Sequence, residues 1–176
     1  PLRLRVAVWY DEALEQPQHA VTHLQYVQHI DPSSSASLAA LETLYKKHGH
    51  WQLAAQMVEQ RLELIYEDDD LIDAWRSLAQ LRHQHLNDMD GALVAYQELL
   101  KLSPEDLEAL SHLKQLYAVK QDFPQLIDVI LRETELIEDV ELKVENLLRA
   151  ADVREVRLND VQGAIEAYRD AYELDS

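Results

Sequence analysis

A chain of 176 residues with 47% hydrophobic side chains has the length and apolar content of one domain or one stretch of a repeat array. It has no cysteine, which excludes disulfides, thiol catalysis and cysteine-ligated zinc, and no apolar run near the ~18 residues that a membrane-spanning helix needs. A net charge of −17 repels phosphate backbones, whose affinity for proteins rests on Lys and Arg, so no nucleic-acid partner is expected; the charge is read as keeping a helical surface in solution.

Taken in order, Leu2 to Glu15 reads as a first helix, with Pro17 in the turn or at the opening of the next. That second helix runs to Ile30 and closes at Asp31-Pro32. Ser33, Ser34 and Ser35 offer hydroxyl caps to a third helix, marked by the i, i+3, i+7 stripe of Leu38, Leu41 and Tyr45. Gly49 ends it, and Trp51 opens a helix that continues through Met57, Val58, Leu62 and Leu64. The acidic run Glu67 to Asp70 lacks the alternating ligands and glycine of a calcium loop; it is read as complementing the dipole of the helix that Trp75, Leu78 and Ala79 pack. Ser103-Pro104-Glu105-Asp106 places a cap, a first-turn proline and two acids before the stripe of Leu110, Leu113 and Tyr117. The last pair of helices packs through Leu147, Ala150, Ala151 and Val153 and then runs from Val161 to Leu174, with Asn159 and Gln162 as a pair resembling a capping box.

The chain repeats itself. Leu86, Asn87, Asp88, Gly91, Ala92, Ala95, Tyr96 and Leu102 recur 72 residues on as Leu158, Asn159, Asp160, Gly163, Ala164, Ala167, Tyr168 and Leu174. The residue opening each second helix, namely Ala20, Ala54, Ala92, Leu126 and Ala164, recurs at intervals of 34, 38, 34 and 38. The extra four residues amount to about one helical turn and are expected to lengthen the first helix of alternate units. The unit of duplication is then a 72-residue pair of repeats, one long and one short.

With Trp75, Leu78, Ala79, Ala92, Tyr96 and Pro104 in the third repeat, and Ala151, Ala164, Tyr168 and Ala171 in the fifth, the chain resembles the tetratricopeptide repeat (TPR) family. The resemblance implies an all-α fold: a right-handed α-solenoid of about five helix-turn-helix repeats, near 1–32, 33–66, 67–104, 105–138 and 139–176, forming a single domain. It departs most in the fourth repeat, where Lys114, Leu126 and Glu133 stand at positions usually small, which implies looser or differently angled helices there. A chain that starts at Pro1 and stops where a repeat finishes is expected to be a piece of a larger TPR-containing protein. Leu2 to Trp9 and Ile165 to Leu174 would then expose faces that a further repeat covers, so end-to-end self-association is expected. Absent cysteine suits the cytoplasm, the expected location, and the periplasm equally.

No Gly-rich phosphate cradle, G-x-S-x-G or H-E-x-x-H is present, so no catalytic residue, cofactor or enzymatic activity is expected. His19 and His23, four apart, have a spacing compatible with zinc but no evident third ligand; these and the other histidines are read as exposed or partly packed, with no metal site. The TPR resemblance implies a non-catalytic scaffold for protein–protein interaction, binding a peptide or partner helix in a concave groove lined by the first helices. The groove positions carried over are Thr43, Lys46, Lys47, Arg76, Gln80, His83, Ser111 and Gln115, a mainly basic or polar set suited to an acidic segment or a C-terminal carboxylate. Alternatives are a spacer or self-assembly segment and, opposed by the charge, an RNA-processing helical repeat.

Overall fold

The computed structural model describes residues 2–175. Among them every regular element is helical. The helices are α1 (Leu2–Glu12), α2 (Pro17–Ile30), α3 (Ser35–Lys47), α4 (Trp51–Leu62), α5 (Asp68–Gln80), α6 (Met89–Leu102), α7 (Leu107–Lys120), α8 (Phe123–Leu136), α9 (Val140–Leu158) and α10 (Val161–Leu174), with a π-helical turn over Leu81–His85 continuing α5. The chain divides into two compact units, Pro1–Leu102 and Ser103–Ser176.

In the first unit three antiparallel hairpins, α1/α2, α3/α4 and α5/α6, stack in sequence order through α2 on α3 and α4 on α5. Their core is built from the expected stripes: Leu38, Leu41 and Tyr45 of α3 are buried, as are Leu78 and Ala79 of α5 and Ala92 and Tyr96 of α6. In the second unit α7/α8 and α9/α10 pack through α8 on α9, around Leu110, Leu113, Ile130, Leu147 and Ala151. Small residues sit where helices approach closely: Ala54, Ala92, Ala150 and Ala151 expose nothing to solvent.

From the second hairpin on, the first helices come in two lengths. α3 and α7 have 13 and 14 residues. α9 has 19, and α5 with its π turn runs unbroken from Asp68 to His85. The four extra residues therefore do lengthen the first helix. In the third hairpin they are absorbed partly by widening the last turn to i→i+5 hydrogen bonding, in which Leu86 N–H donates to Leu81 O (3.0 Å).

Every hairpin turn holds one residue in the left-handed region: Glu15 (φ 53°), Gly49 (74°), Asn87 (52°), Gln121 (57°) and Asn159 (54°). The closures around them are of two kinds. After α3 and α7 the N–H of His50 and of Asp122 reaches back five residues, to Tyr45 O (2.8 Å) and Tyr117 O (3.0 Å). After α1, α5 and α9 the reach is six: Gln16 to Tyr10 O (2.8 Å), Asp88 to Arg82 O (2.9 Å) and Asp160 to Arg154 O (2.8 Å). Each kind recurs every 72 residues, so the two-repeat module shows in backbone geometry as well as in composition.

Two expected caps move. The pair Asn159 and Gln162 does not form a capping box: Asn159 takes the left-handed turn that ends α9, and Asp160 caps α10, accepting from Gly163 N–H (3.0 Å). Asn87 and Asp88 do the same before α6, where Asp88 accepts from Gly91 N–H (2.9 Å). Asn tolerates positive φ, which frees the following Asp to cap. Arg82 and Arg154 complete the turn by donating to the carbonyls of Gly91 (3.1 Å) and Gly163 (2.8 Å). A Cβ on either glycine would fall on the capping carboxylate, which is why glycine stands there. Before α7 the cap is Asp106, accepting from Ala109 N–H (2.9 Å), and not Ser103, because Ser103 to Asp106 folds as a turn ahead of the helix.

The fourth repeat is not left open at its unusual positions. Leu126 is buried, and Lys114 and Glu133 meet in an ion pair that Asn146 joins through Nδ2 at 3.1 Å from Glu133 Oε2.

Candidate protein-interaction surface

Six of the expected groove residues lie on the first helices of the first unit; Ser111, half-buried, and Gln115, exposed, lie on α7 of the second. The structure ties three of the six, Lys46, Lys47 and Arg76, to acidic neighbours. Lys46 donates from Nζ to Glu42 Oε1 (2.6 Å) and to Ser77 Oγ of α5 (2.6 Å). Ser77 also donates to Glu42 Oε1 (2.7 Å), and Arg61 of α4 places Nη2 3.3 Å from Glu42 Oε2. Glu42 is thus a buried carboxylate with two cations and a hydroxyl around it, the arrangement a buried charge requires.

Lys47 donates to Asp11 Oδ2 of α1 (2.6 Å), and His48 Nε2 lies 2.8 Å from Asp11 Oδ1. Burial pushes the Asp11 carboxyl up, but hydrogen bonds from Lys47 and His48, with their charge, outweigh it and hold the pKa below the ordinary 3.8. Arg76 lies 3.2 Å from Asp73 one turn before it. Thr43 is exposed, with its hydroxyl donated to Ala39 O (2.9 Å). His83, in the π turn, packs edge-on to Tyr96 of α6, ring centres 6.2 Å apart, and so faces its own hairpin partner. The positive charge of the expected groove is therefore largely offset from within.

Of the cavities that open on these helices, two take in expected groove residues. One, of about 240 Å³, lies between α1, α2 and α3 and is lined by Ala7, Ala20, Leu24 and Leu44, with Thr43 and Lys47 at its polar side. The other, of about 390 Å³, gathers Lys46, Lys47, Ser77 and Gln80 with Gln84. Its wall is Trp51 stacked on His85, rings 3.7 Å apart and 8° from parallel. Sequence reading missed Glu42, Asp11, Ser77 and this stack. The i, i+4 spacing of Glu42 and Lys46 was the one local signal for the first of them.

Elsewhere, His19 and His23 both lie against Tyr10, ring centres 5.2 and 5.3 Å away. Among the described residues no cluster of three or more His, Asp or Glu is placed to hold a metal ion, and no helix is long and apolar enough to cross a membrane. On α10, Val161, Ile165, Tyr168 and Tyr172 form an exposed apolar stripe. Their counterparts 72 residues earlier behave differently: Leu93, Tyr96 and Leu100 of α6 are buried and Met89 is half-buried.

No protein-family model matches the chain, and no curated protein is similar to it in sequence. Solved structures do match in fold. MamA (AMB-1) is similar over 99% of this chain and 90% of its own, at 17% identity and a TM-score of 0.64. A MamA fragment from Desulfovibrio magneticus RS-1 is similar over 99% and 93%, at 16% identity and 0.59. YrrB, described as a TPR protein with an unusual peptide-binding site, is similar over 98% and 84%, at 16% identity and 0.62. The chain has a tetratricopeptide-like, all-helical solenoid fold.

Proposed function

We propose that this protein is a non-catalytic interaction scaffold, and that the first-helix face of its first unit receives an extended peptide or partner helix with acidic side chains or a free carboxylate. The observation that carries this reading is the convergence of Lys46, Lys47, Ser77 and Gln80 on one open cavity beside the Trp51–His85 stack. Ammonium and amide donors there suit carboxylates and peptide carbonyls, and the aromatic wall suits an apolar side chain. Lys47, half-exposed, is the cation most available to a ligand, since Lys46 is committed to buried Glu42. YrrB, of similar fold, is described as having a peptide-binding site, which fits this reading.

The test is peptide selection from a displayed random library on the intact protein. Enrichment of Asp, Glu or a free C-terminus is expected, with binding weakened about tenfold or more by Lys47→Glu/Arg76→Glu and unchanged by Lys101→Glu on exposed α6 surface. Melts of each variant check that it stays folded. Selected peptides that ignore the charge reversal would defeat the proposal.

A second reading, self-association through α10, is favoured by the exposed stripe of Val161, Ile165, Tyr168 and Tyr172. It predicts concentration-dependent mass in sedimentation, abolished by Ile165→Glu/Tyr172→Glu.

A further inference from the structure

The hairpins α3/α4 and α7/α8 correspond to one another across 72 residues, with the same apolar stripe on their first helices. Leu38, Leu41, Leu44 and Tyr45 are matched by Leu110, Leu113, Leu116 and Tyr117, and all eight are buried. On the second helices Val58 and Ile130, both fully enclosed, occupy the same place. The apolar face that α3 seeks on α4 is therefore offered in similar form by α8, and the face α7 seeks on α8 is offered by α4. Buried sizes differ at Ala54 against Leu126, Ala55 against Ile127 and Met57 against Val129, so exchange also meets a packing mismatch, whose cost adds to that of charge.

One pair of positions differs in sign. In the first unit Glu42 of α3 faces Arg61 of α4, Oε2 to Nη2 3.3 Å. Seventy-two residues on, Lys114 of α7 faces Glu133 of α8. The same two places hold an acid then a base in one module, and a base then an acid in the other. All four side chains are mostly withdrawn from water: their exposures are 7% for Glu42, 17% for Arg61, 16% for Lys114 and 12% for Glu133.

We infer that this charge-reversed pair is a pairing code that keeps each first helix with the second helix of its own hairpin. Exchanging partners would set Glu42 against Glu133 and Lys114 against Arg61, like against like in both products, where water screens poorly. Lys46 travels with Glu42 on α3 and softens the first encounter; the meeting of Lys114 with Arg61 is the sharper. The code acts against exchange within one chain and against two chains exchanging hairpins one module out of register, the failure to which repeated sequences are prone.

The test makes the two modules alike without removing either pair. Lys114→Glu/Glu133→Arg gives both hairpins the acid–base order; Glu42→Lys/Arg61→Glu gives both the base–acid order. The quadruple variant carrying all four changes reverses both and restores the difference. Each is unfolded in urea, refolded at high concentration, diluted, and sized by chromatography with light scattering. Dilution removes reversible association and leaves exchanged dimers. Both double variants are expected to yield several-fold more dilution-resistant dimer than the wild type, and the quadruple variant to return to the wild-type level. The two doubles alter different units, so a packing fault in one leaves the other informative. The code is overturned if the doubles refold to monomer in wild-type proportion, if the quadruple variant exchanges as much as they do, or if neither double folds.

Discussion

At single residues, the hairpin turns carry the clearest physical demands. Asp88 and Asp160 each satisfy an N–H that the first turn of their helix cannot bond itself, so Asp88→Ala and Asp160→Ala should each lower stability by ~1 kcal/mol in urea unfolding. The left-handed residues give a prediction of opposite signs: Asn87→Ala should destabilise by about 1 kcal/mol, and Gln121→Gly should stabilise by a few tenths to about 1 kcal/mol, since a glycine carries no Cβ at φ 57°. Asn159 and Asp160 also show where sequence reading stops. Both residue types cap helices and both tolerate turns; the sequence reading put the cap on Asn159, and the structure puts it on Asp160. The choice follows from where α9 ends, which the packing of the longer helix decides.

Asp11 adds a pH-dependent case. Its carboxyl is lowered by Lys47 and His48, so the charged form is favoured by folding; the contribution is present above the unfolded value near 3.8 and fades as pH falls through the lower folded value. Asp11→Asn should therefore lower stability at neutral pH by ~1 kcal/mol or less, Lys47 being half-exposed, with the difference from wild type closing below pH 3.8. A difference independent of pH would show that the contact acts through shape alone.

At the level of helices, the alternation of 34 and 38 residues was legible, and so was its consequence, the longer first helices formed by α5 with its π turn and by α9. The π turn at Leu81–His85 was not, because an extra four residues fit equally well into a regular helix, as α9 shows. The ion pairs were half legible. Lys114 and Glu133 stood out against small residues, but Glu42 and Arg61 were not singled out, since Glu is seldom buried and only the 72-residue comparison shows that the pair shares their place. The small residues are where helix approach is most exacting. Ala92→Phe and Ala164→Phe should each cost ~1–3 kcal/mol in thermal or urea unfolding, both side chains being enclosed between their own hairpin helices. No loss in either variant would mean that the register of small and large residues is not what closes the hairpins.

For the molecule as a whole, charge and composition set limits that the candidate surface then refines. A net charge of −17 sits beside a short list of cations on the first helices of the first unit, and the structure returns Lys46, Lys47 and Arg76 to internal acids. The expected groove is consequently less basic than its residue types suggest, and the exposed donors at the cavity beside the aromatic wall are Lys47 and Gln84. The carry-over of positions from the TPR resemblance could not foresee partners 30 or more residues away, such as Ser77 for Lys46 and Asp11 for Lys47. Nor could it foresee that the π turn would direct His83 to Tyr96.

The central claim is that partners are read on the first helices of the first unit. The direct measurement is the chemical-shift change of each backbone amide in the isotopically labelled protein as a library-selected acidic peptide is added. The account predicts shifts concentrated at Thr43, Lys46, Lys47, Ser77, Gln80 and Gln84. Shifts confined to α2, α4 and α6, or to the exposed stripe of α10, would contradict it.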